Sequence, residues 1–225
     1  MKKMKKMKKM MSVVVALGVC VGLVSCGAKA GEPTKGGQDD SFKFPPGYEK
    51  PVNADLFEWS YYGFNRSEKE KLVIDGLTEK GKKQTELVIP KVCEAAHRLS
   101  RTPKEEDVYT DIPTNIKHIS FENPDTILGD LVCSRLKSLE TVELPANLKE
   151  IPEHAFSFCD NLKEIKIPDS VTKIGDSAFW GCENLEKVEL GSGVREIGKS
   201  AFLQCSKLKR SAITGGITIP DEAFY

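Results

Sequence analysis

The fold is decided by residues 167–185, which read Ile-Pro-Asp-Ser-Val-Thr-Lys-Ile-Gly-Asp-Ser-Ala-Phe-Trp-Gly-Cys-Glu-Asn-Leu. Aliphatic residues, a Pro-Asp-Ser turn, an Ala-Phe pair and a cysteine follow one another at fixed intervals in this stretch. The same order recurs on either side of it, so the stretch is one copy of an internal repeat. Self-similarity at a fixed period indicates stacked coils, because one coil cannot bury its apolar face without its neighbours.

Three columns of apolar residues show the period, which is 23 residues. The first column is Ile116, Leu139, Leu162, Leu185 and Leu208. The second is Ile119, Val142, Ile165 and Val188, and the third is Phe121, Leu144, Ile167, Leu190 and Ile213. The Leu-x-x-Val-x-Leu order is typical of a leucine-rich-repeat strand, whose apolar side chains alternate with solvent-facing ones. We therefore predict an α/β-type repeat protein, mostly β and loop, in which 23-residue coils carry a ribbon of parallel strands.

The wording of residues 167–185 resembles the BspA-like family of bacterial leucine-rich-repeat surface proteins. The resemblance covers about residues 110–225, and residues 82–90 are similar to a strand that precedes the repeats in that family. Members are typically exported, and several are adhesins for host matrix proteins or for other bacteria. The resemblance thus implies a surface-exposed binding protein.

The repeat is interrupted at both ends. Val92, Cys93, Ala96 and Leu99 have helical spacing, so residues 91–115 are predicted to hold an insertion or an irregular coil. In the last copy Ser211 replaces the inward aliphatic residue, and 217–224 is one residue shorter than its equivalents. The last copy reaches Tyr225 without an evident polar cap.

An N-terminal cap is predicted ahead of the repeats, because the first coil needs its open end covered. Aromatic residues are dense from Phe57 to Phe64, and two apolar runs, 72–74 and 87–90, flank a polar turn at 78–83. Such runs favour a β-hairpin. We assign 55–115 to the cap, mainly 55–90, and the irregular first coil, and 116–225 to the solenoid.

The N-terminus has the pattern of an export signal. Six lysines precede an apolar stretch, 10–24, that is short for a membrane span. Leu23-Val24-Ser25-Cys26-Gly27 resembles the lipobox of bacterial lipoproteins, which implies a signal peptide at 1–25 and lipidation of Cys26. An ordinary signal peptide that happens to contain Cys26 is the alternative. Residues 26–54 are rich in Gly, Pro, Lys and Asp and are predicted to be a flexible tether.

Charge argues against nucleic acid as a partner. The whole chain is neutral, but removal of residues 1–25 leaves 27 basic against 33 acidic residues, a net charge of −6. Binding to nucleic acid relies on a basic surface. The lipobox-like sequence implies membrane contact through the N-terminal lipid only, and the resemblance to the BspA-like family implies a location at the outer membrane or cell surface.

Chemical sites are not evident in the sequence. Cys159, Cys182 and Cys205 occupy one repeat position and are predicted to be buried small hydrophobes, although an exported protein permits disulfides. The sequence has no CxxC, GxSxG or HExxH motif and no phosphate-binding glycine loop. We therefore predict no catalytic site, no metal and no cofactor.

The outward strand positions are the first candidate binding surface. Two columns alternate in charge, Lys117, Glu140, Lys163, Glu186, Lys209 and Glu143, Lys166, Glu189. A third contains His118, Thr141, Glu164, Lys187 and Arg210. The alternatives are a solvated face that fixes the register and a mixed-charge surface that binds a protein.

The second candidate is the column that follows the repeat phenylalanine: Ser157, Trp180, Leu203 and Tyr225. Large apolar groups at a partly exposed position either anchor a partner or cover the ridge of the solenoid. The resemblance to the BspA-like family implies a cell-surface binding or adhesion module for a protein from host extracellular matrix or a neighbouring cell, and the two columns are the candidate surfaces for that binding. The alternative is an accessory envelope lipoprotein that mediates assembly contacts, and the candidate partner-binding residues are Thr141, Glu143, Glu164, Lys166, Lys187, Glu189, Arg210, Trp180, Leu203 and Tyr225.

Overall fold

The computed structural model describes residues 42–62, 71–97, 99, 112–215 and 217–225. Thirteen short strands lie in these ranges, and every helical turn in them is of the 3₁₀ type. The strands are β1 Phe57–Tyr62, β2 Lys71–Leu77, β3 Glu86–Ile89, β4 Ala95–Ala96, β5 His118–Phe121, β6 Ile127–Leu128, β7 Thr141–Glu143, β8 Glu150–Ile151, β9 Glu164–Lys166, β10 Lys173–Ile174, β11 Lys187–Glu189, β12 Glu196–Ile197 and β13 Ile213–Thr214. The 3₁₀ turns are Ala54–Leu56, Gly81–Lys83, Arg210–Ala212 and Asp221–Phe224.

Each coil contributes two strands, which stack into two parallel series. The front strands are β3, β5 and β7 in one sheet and β9, β11 and β13 in another. The side strands are β2, β4 and β6, joined by β1, and then β8, β10 and β12. All pairs are parallel except β1 with β2, as expected when successive strands of a series are one coil apart.

The interior is the predicted aliphatic spine. Ile116, Leu139, Leu162 and Leu185 have no exposed surface and belong to one core cluster. The second column is also buried, apart from Val142, which is half-buried at the junction between the two front sheets. The structure therefore confirms the predicted solenoid of parallel strands.

A ladder of phenylalanines runs beside this spine. Phe156 and Phe179 stack with centroids 5.5 Å apart, Phe179 and Phe202 stack at 5.6 Å, and both pairs lie within 7° of parallel. Phe224 continues the ladder at 5.9 Å with a tilt of 37°. Identical residues at one position of successive coils therefore meet face to face.

The N-terminal hairpin is present but consists of other strands than predicted. β2, which contains 72–74, pairs antiparallel with β1, whereas β3, which contains 87–89, pairs with β5 of the next coil. The segment between β2 and β3 turns a corner of the coil instead of reversing the chain. Gly81 fits this corner because a Cβ there would lie 2.1 Å from the carbonyl oxygen of Leu56.

Packed structure extends into the segment predicted as tether, residues 26–54. Phe44 contacts the Trp59 ring edge-on at 5.2 Å, and the Tyr48 ring lies 5.9 Å from Tyr61. The Tyr48 hydroxyl donates to Glu94 Oε2 at 2.7 Å, and the backbone N–H of Leu72 donates to the same oxygen. Residues 42–48 therefore form an aromatic strap on the cap. The predicted signal peptide, Cys26 and the tether up to residue 41 lie outside the described residues.

Residues 91–115 lengthen one coil. Glu86 pairs with His118, 32 residues later, in place of the usual 23. Cys93, Ala96 and Leu99 are buried as their spacing suggested, but Ala95–Ala96 is a strand. Helical spacing was misleading here because a coil with two corners also turns apolar residues inward at intervals of three.

The last coil shifts its register by two residues. Val188 pairs with Ile213, not with residue 211, so the prediction that Ile213 continues the third column is wrong. Ser211 is exposed in the 3₁₀ turn, and Ile213 takes the inward position instead. Because strands alternate with a period of two, a shift of two residues still brings an inward-facing residue, Ile213, into line with Val188.

Candidate binding surface

The front face is formed by the outward residues of β7, β9 and β11. Thr141, Glu143, Glu164, Lys166 and Lys187 are exposed, and Glu189 is half-buried. The residues between them, Val142, Ile165 and Val188, face the core. The alternation places all six predicted residues on one side of the solenoid.

The register places opposite charges beside one another. Lys187 lies opposite Glu164, and Glu189 lies opposite Lys166. In the preceding sheet His118 lies opposite Thr141, and His118 Nδ1 is 2.6 Å from Thr141 Oγ1. In β9 and β11, acidic and basic side chains therefore alternate both along each strand and between the two strands, which belong to successive coils. We call this arrangement the charge checkerboard.

Ion pairs hold part of this surface. Lys117 and Glu140 join two coils at 2.8 Å, as the alternating column predicted, whereas Lys187 pairs with Glu189 of its own strand. The hydrogen bond from Lys187 holds the pKa of the Glu189 carboxyl below its usual range and raises the pKa of the lysine. Glu140 has a lowered pKa for the same reason, through Lys117. These groups remain charged under mildly acidic conditions.

Arg210 does not occupy the predicted column. The 3₁₀ turn that shifts the last register carries it off the front face. There its guanidinium lies 4.4 Å from the centre of the Phe224 ring and pairs with Asp221 at 2.7 Å. Arg210 therefore links the 3₁₀ turn at 210–212 to the 3₁₀ turn at 221–224 within the last coil.

The second candidate column is not uniform. Ser157 is buried and its hydroxyl meets that of Ser134 at 2.8 Å. The Trp180 ring packs 4.8 Å from Phe158 and 6.1 Å from His154, and Nε1 donates to Gln204 Oε1 at 3.2 Å. Leu203 is half-buried, while Tyr225 is 70% exposed. The contacts of Trp180 are those expected of a side chain that covers the ridge of the solenoid. Its role as an anchor for a partner stays a hypothesis.

Sequence reasoning missed Arg135 and Phe158, which extend this ridge. The Arg135 guanidinium lies 4.8 Å from the centre of the Phe158 ring, and Trp180 flanks the ring. Arg135, Phe158, Gly181 and Gln204 share one repeat position and all have positive φ. The single glycine in that column could have indicated a large side chain packed against this position, because the Phe158 ring lies where a Cβ of Gly181 would be.

A polar groove borders the front face where β9, β11 and β13 end. Its volume is about 240 Å³, and its lining includes Lys166, Asp169, Glu189 and Thr214. Asp169 Oδ1 accepts the backbone N–H of Ser192 at 2.7 Å, which lowers the pKa of that carboxyl. The groove therefore widens the charged surface without adding an enclosed site.

The repeat portion of the chain has a known counterpart. The family model described as "BspA type Leucine rich repeat region" matches residues 126–225 in six copies. Residues 126–225 are a BspA-type leucine-rich repeat region. Leucine-rich repeats typically serve as protein-interaction modules without enzymatic activity. Among curated proteins, none matches the sequence significantly.

Solved leucine-rich repeat proteins share the fold. A leucine-rich cell surface protein from Faecalibacterium prausnitzii is 22% identical with a TM-score of 0.55, and the match covers 72% of this chain and 38% of that one. The T. pallidum leucine-rich repeat protein is 24% identical with a TM-score of 0.54, covering 72% and 69%. A Bacteroides ovatus protein is 22% identical with a TM-score of 0.50, covering 71% and 39%. This chain thus spans well under half the length of two of these three proteins.

The cysteines among the described residues are thiols in the core. Cys93, Cys133, Cys159, Cys182 and Cys205 are all buried and free. The thiols of Cys159, Cys182 and Cys205 donate to carbonyls of the preceding coil, at 3.1 to 3.2 Å. Burial raises the pKa of the Cys93 thiol to about 12 and that of Cys133 further. They act as small core residues, as predicted for the repeat cysteines.

Neither a metal site nor a membrane-spanning helix is seen among the described residues. Within them, no three His, Cys, Asp or Glu residues converge as metal ligands would. No helix in the same ranges has the length and apolarity that crossing a bilayer requires.

Proposed function

We propose that the chain is a lipid-anchored module, displayed on the bacterial surface, that binds a protein partner through the front face of its repeats. The observation that carries the proposal is the checkerboard on β7, β9 and β11. Six polar or charged side chains of both signs lie on one side of a rigid stack. Protein partners with complementary charge are selected by such surfaces.

The chemistry of the face favours a protein over sugars or nucleic acid. The outward positions of the described front strands from β5 to β11 carry no Phe, Tyr or Trp on which sugars or bases could stack. Acids and bases alternate, so the face lacks the continuous positive charge that phosphate backbones require. A mixed-charge surface suits a protein with its own alternating charges.

Preorganisation supports the same conclusion. The ion pairs Lys117–Glu140 and Lys187–Glu189 already hold long side chains in place before a partner arrives. Ordering a mobile side chain on binding costs conformational entropy, and side chains that are already paired have less of it to lose. Surface display is supported by the lipobox-like sequence at Cys26 and by the Faecalibacterium protein, which is described as a cell surface protein.

The proposal is tested with charge reversal on the front face. The full-length chain in mild detergent is measured against immobilised extracellular-matrix proteins and envelope extracts of neighbouring bacteria by biolayer interferometry. Lys166→Glu places three acids in one column and should weaken binding about tenfold, an effect that salt reduces. Lys149→Glu is the matched control, because it changes the net charge equally at an exposed site on another face. Equal effects of the two variants, or no saturable binding at all, would contradict the proposal.

A second experiment separates surface display from an envelope-assembly role. Protease is added to intact cells, and the remaining full-length chain is quantified. A surface adhesin is cleaved, whereas a lipoprotein that faces the periplasm is protected until the outer membrane is permeabilised. Protection on intact cells would reject the adhesin proposal in favour of assembly contacts.

A further inference from the structure

The side strands β8, β10 and β12 follow a simple register. Glu150, Lys173 and Glu196 lie next to one another in one exposed column of alternating sign. Ile151, Ile174 and Ile197 form the adjacent inward column. A further strand in this series would continue both columns with a basic residue and then an aliphatic one.

Hydrogen bonds between these coils repeat as regularly as the side chains. The carbonyls of Lys149 and Ile151 accept N–H groups of Thr172 and Gly175, both at 2.8 Å. One coil later, the carbonyls of Thr172 and Ile174 accept from Arg195 and Gly198, again at 2.8 Å. The equivalent carbonyls of Arg195 and Ile197 receive no hydrogen bond from any described residue of the last coil. Among the described residues, β12 therefore has one unpaired edge.

The last coil leaves this edge open for a reason visible in its sequence. Pro220 is the sequence equivalent of Ile197, 23 residues later, and proline has no N–H to donate. The coil rejoins the stack immediately afterwards, where the N–H of Phe202 donates to Ala223. Ile197 consequently remains half-buried, whereas Ile151 and Ile174 have no exposed surface.

The gap beside β12 is a groove of about 690 Å³. Its walls combine the charged residues of the strand edge with the apolar turn of the last coil: Lys173, Arg195, Glu196, Ile197, Ile217 and Pro220. The groove contains the two free carbonyl acceptors and the incompletely covered Ile197. Strand addition to an exposed edge is a common mode of peptide recognition.

We propose that this groove binds an extended segment of a partner protein, which adds to β12 as a parallel strand. The segment carries Lys or Arg opposite Glu196, followed by Ile or Val opposite Ile197. Its backbone N–H groups satisfy the carbonyls of Arg195 and Ile197, and its aliphatic side chain completes the cover of Ile197. This site is separate from the front face and does not depend on the function proposed for that face.

The chain itself supplies the probe. A fluorescent synthetic peptide with the sequence of residues 169–178 contains the Lys-Ile pair that lies against Glu196-Ile197 inside the fold. Fluorescence polarisation with the full-length chain in mild detergent should show saturable binding. The Lys173→Glu peptide should bind about tenfold more weakly, because like charges then face each other. The Gly175→Pro peptide, which loses an N–H donor, should be weakened further.

Protein variants locate the site. Glu196→Lys should reverse the preference, binding the Lys173→Glu peptide better than the original one. Glu183→Lys, an exposed turn residue with the same change in charge, should leave both affinities unchanged. Circular dichroism confirms that each variant is folded. The front-face variant Lys166→Glu should also leave peptide binding unchanged, which separates this inference from the proposed function.

Three outcomes would overturn the inference. One is the absence of saturable peptide binding by folded wild-type protein. Another is equal affinity for the original and Lys173→Glu peptides. The third is concentration-dependent self-association that Glu196→Lys abolishes, without any peptide binding, because a second copy would then be the occupant.

Discussion

In four successive coils the backbone is left-handed at two positions, even though most residues there carry side chains. The first column is Leu131, His154, Ser177 and Ser200, and the second is Arg135, Phe158, Gly181 and Gln204. This conformation costs roughly 1–2 kcal/mol for a residue with a Cβ. Hydrogen bonds between coils offset the cost, since His154 N–H donates to Asp176 at 3.1 Å and Phe158 N–H to Trp180 at 2.7 Å. The left-handed backbone at these two corners of the coil is therefore stabilised by hydrogen bonds to the next coil and does not require glycine.

Gly181→Ala tests this view of the second column. Its φ of +74° costs an alanine about 1–2 kcal/mol, and the new Cβ would lie 2.6 Å from the Phe158 ring. Gly47→Ala is the control, because φ there is +93° with nothing within 4 Å of a Cβ. Denaturant unfolding should show a larger loss of stability for Gly181→Ala than for Gly47→Ala. Equal losses would mean that the Phe158 ring moves away at no cost.

Tyr48 gives the strap a dependence on alkaline pH. Desolvation, followed by the hydrogen bond to Glu94, raises the pKa of its hydroxyl from 10.0 to about 12. Between these values the unfolded chain releases the proton while the folded chain retains it, so stability falls as pH rises through this window.

Tyr48→Phe should remove this contribution. At neutral pH the variant loses about 1 kcal/mol with the hydrogen bond to Glu94. The decline of its thermal midpoint from pH 10 toward about 12 should be shallower than that of the wild type. Tyr225→Phe, at an exposed tyrosine, should decline as the wild type does. Parallel curves for Tyr48→Phe and the wild type would contradict this account of the strap.

At the scale of the element, the first full coil exchanges two core residues. Cys133 stands where later coils have Phe156, Phe179 and Phe202, one period before Phe156. Leu136 stands where later coils have the repeat cysteine, and both residues are fully buried. The first full coil thus has its small core residue where later coils have the large one, and its large residue where they have the small one. The combined side-chain volume at the two positions is nearly unchanged. Cores tolerate such paired exchanges better than either single change.

A double-mutant cycle measures this compensation. Cys133→Phe alone overpacks the coil and should cost about 1–3 kcal/mol. Leu136→Cys alone leaves a cavity and should cost about 2 kcal/mol. The double variant restores the arrangement of the later coils, with a ring that can stack on Phe156. Its loss in denaturant unfolding should be at least about 1 kcal/mol smaller than the sum of the single losses; additive losses would show that the two sites do not share space.

Element boundaries show what the sequence could and could not predict. The front strands follow from alternation at a fixed period, and the same alternation identified the outward-facing residues from Thr141 to Glu189. The strand partners in the cap were mistaken, because an apolar run such as 72–74 does not reveal whether it lies on the front or the side of a coil. The displaced Arg210 required knowledge of a 3₁₀ turn, which counting residues at a constant period cannot provide.

The sequence also predicted only some of the contacts between side chains. The pairing of Lys117 with Glu140 follows from their column, but Lys187 prefers Glu189 within its own strand. In the structure Lys187 Nζ donates to the Glu189 carboxylate and not to that of Glu164 in the neighbouring strand. The unpaired edge of β12 was equally hidden, because it depends on where the last coil rejoins the stack.

For the whole molecule, stability depends on contacts between adjacent coils, so the coils need not be equally stable. The last coil has the weakest core, since Ile213, Ile217 and Ile219 are only half-buried and Ala223 is buried. Arg210 compensates through its ion pair with Asp221 and its contact with Phe224. Local opening is therefore expected first in residues 213–225.

Arg210→Ala should increase this local opening. An exposed ion pair and a cation–π contact contribute about 1 kcal/mol together, so amide hydrogen exchange in 213–225 should accelerate several-fold, up to about tenfold. The global unfolding free energy should change by less than about 0.5 kcal/mol. Lys199→Ala, which removes a charge from an exposed neighbouring site, should leave exchange unchanged. Uniform acceleration across all coils would show that the stack opens only as a unit.

The constant spacing of the middle coils also bears on how such a molecule can change its length. Duplicating or excising one whole 23-residue unit, in frame, superimposes every inward column, every stacked ring and every inter-coil hydrogen bond on an equivalent one. A gene for this chain can thus gain or lose units by recombination without redesigning its interior. Only the charge checkerboard changes its sequence of signs, so recombination would alter what the surface recognises while the architecture stays the same.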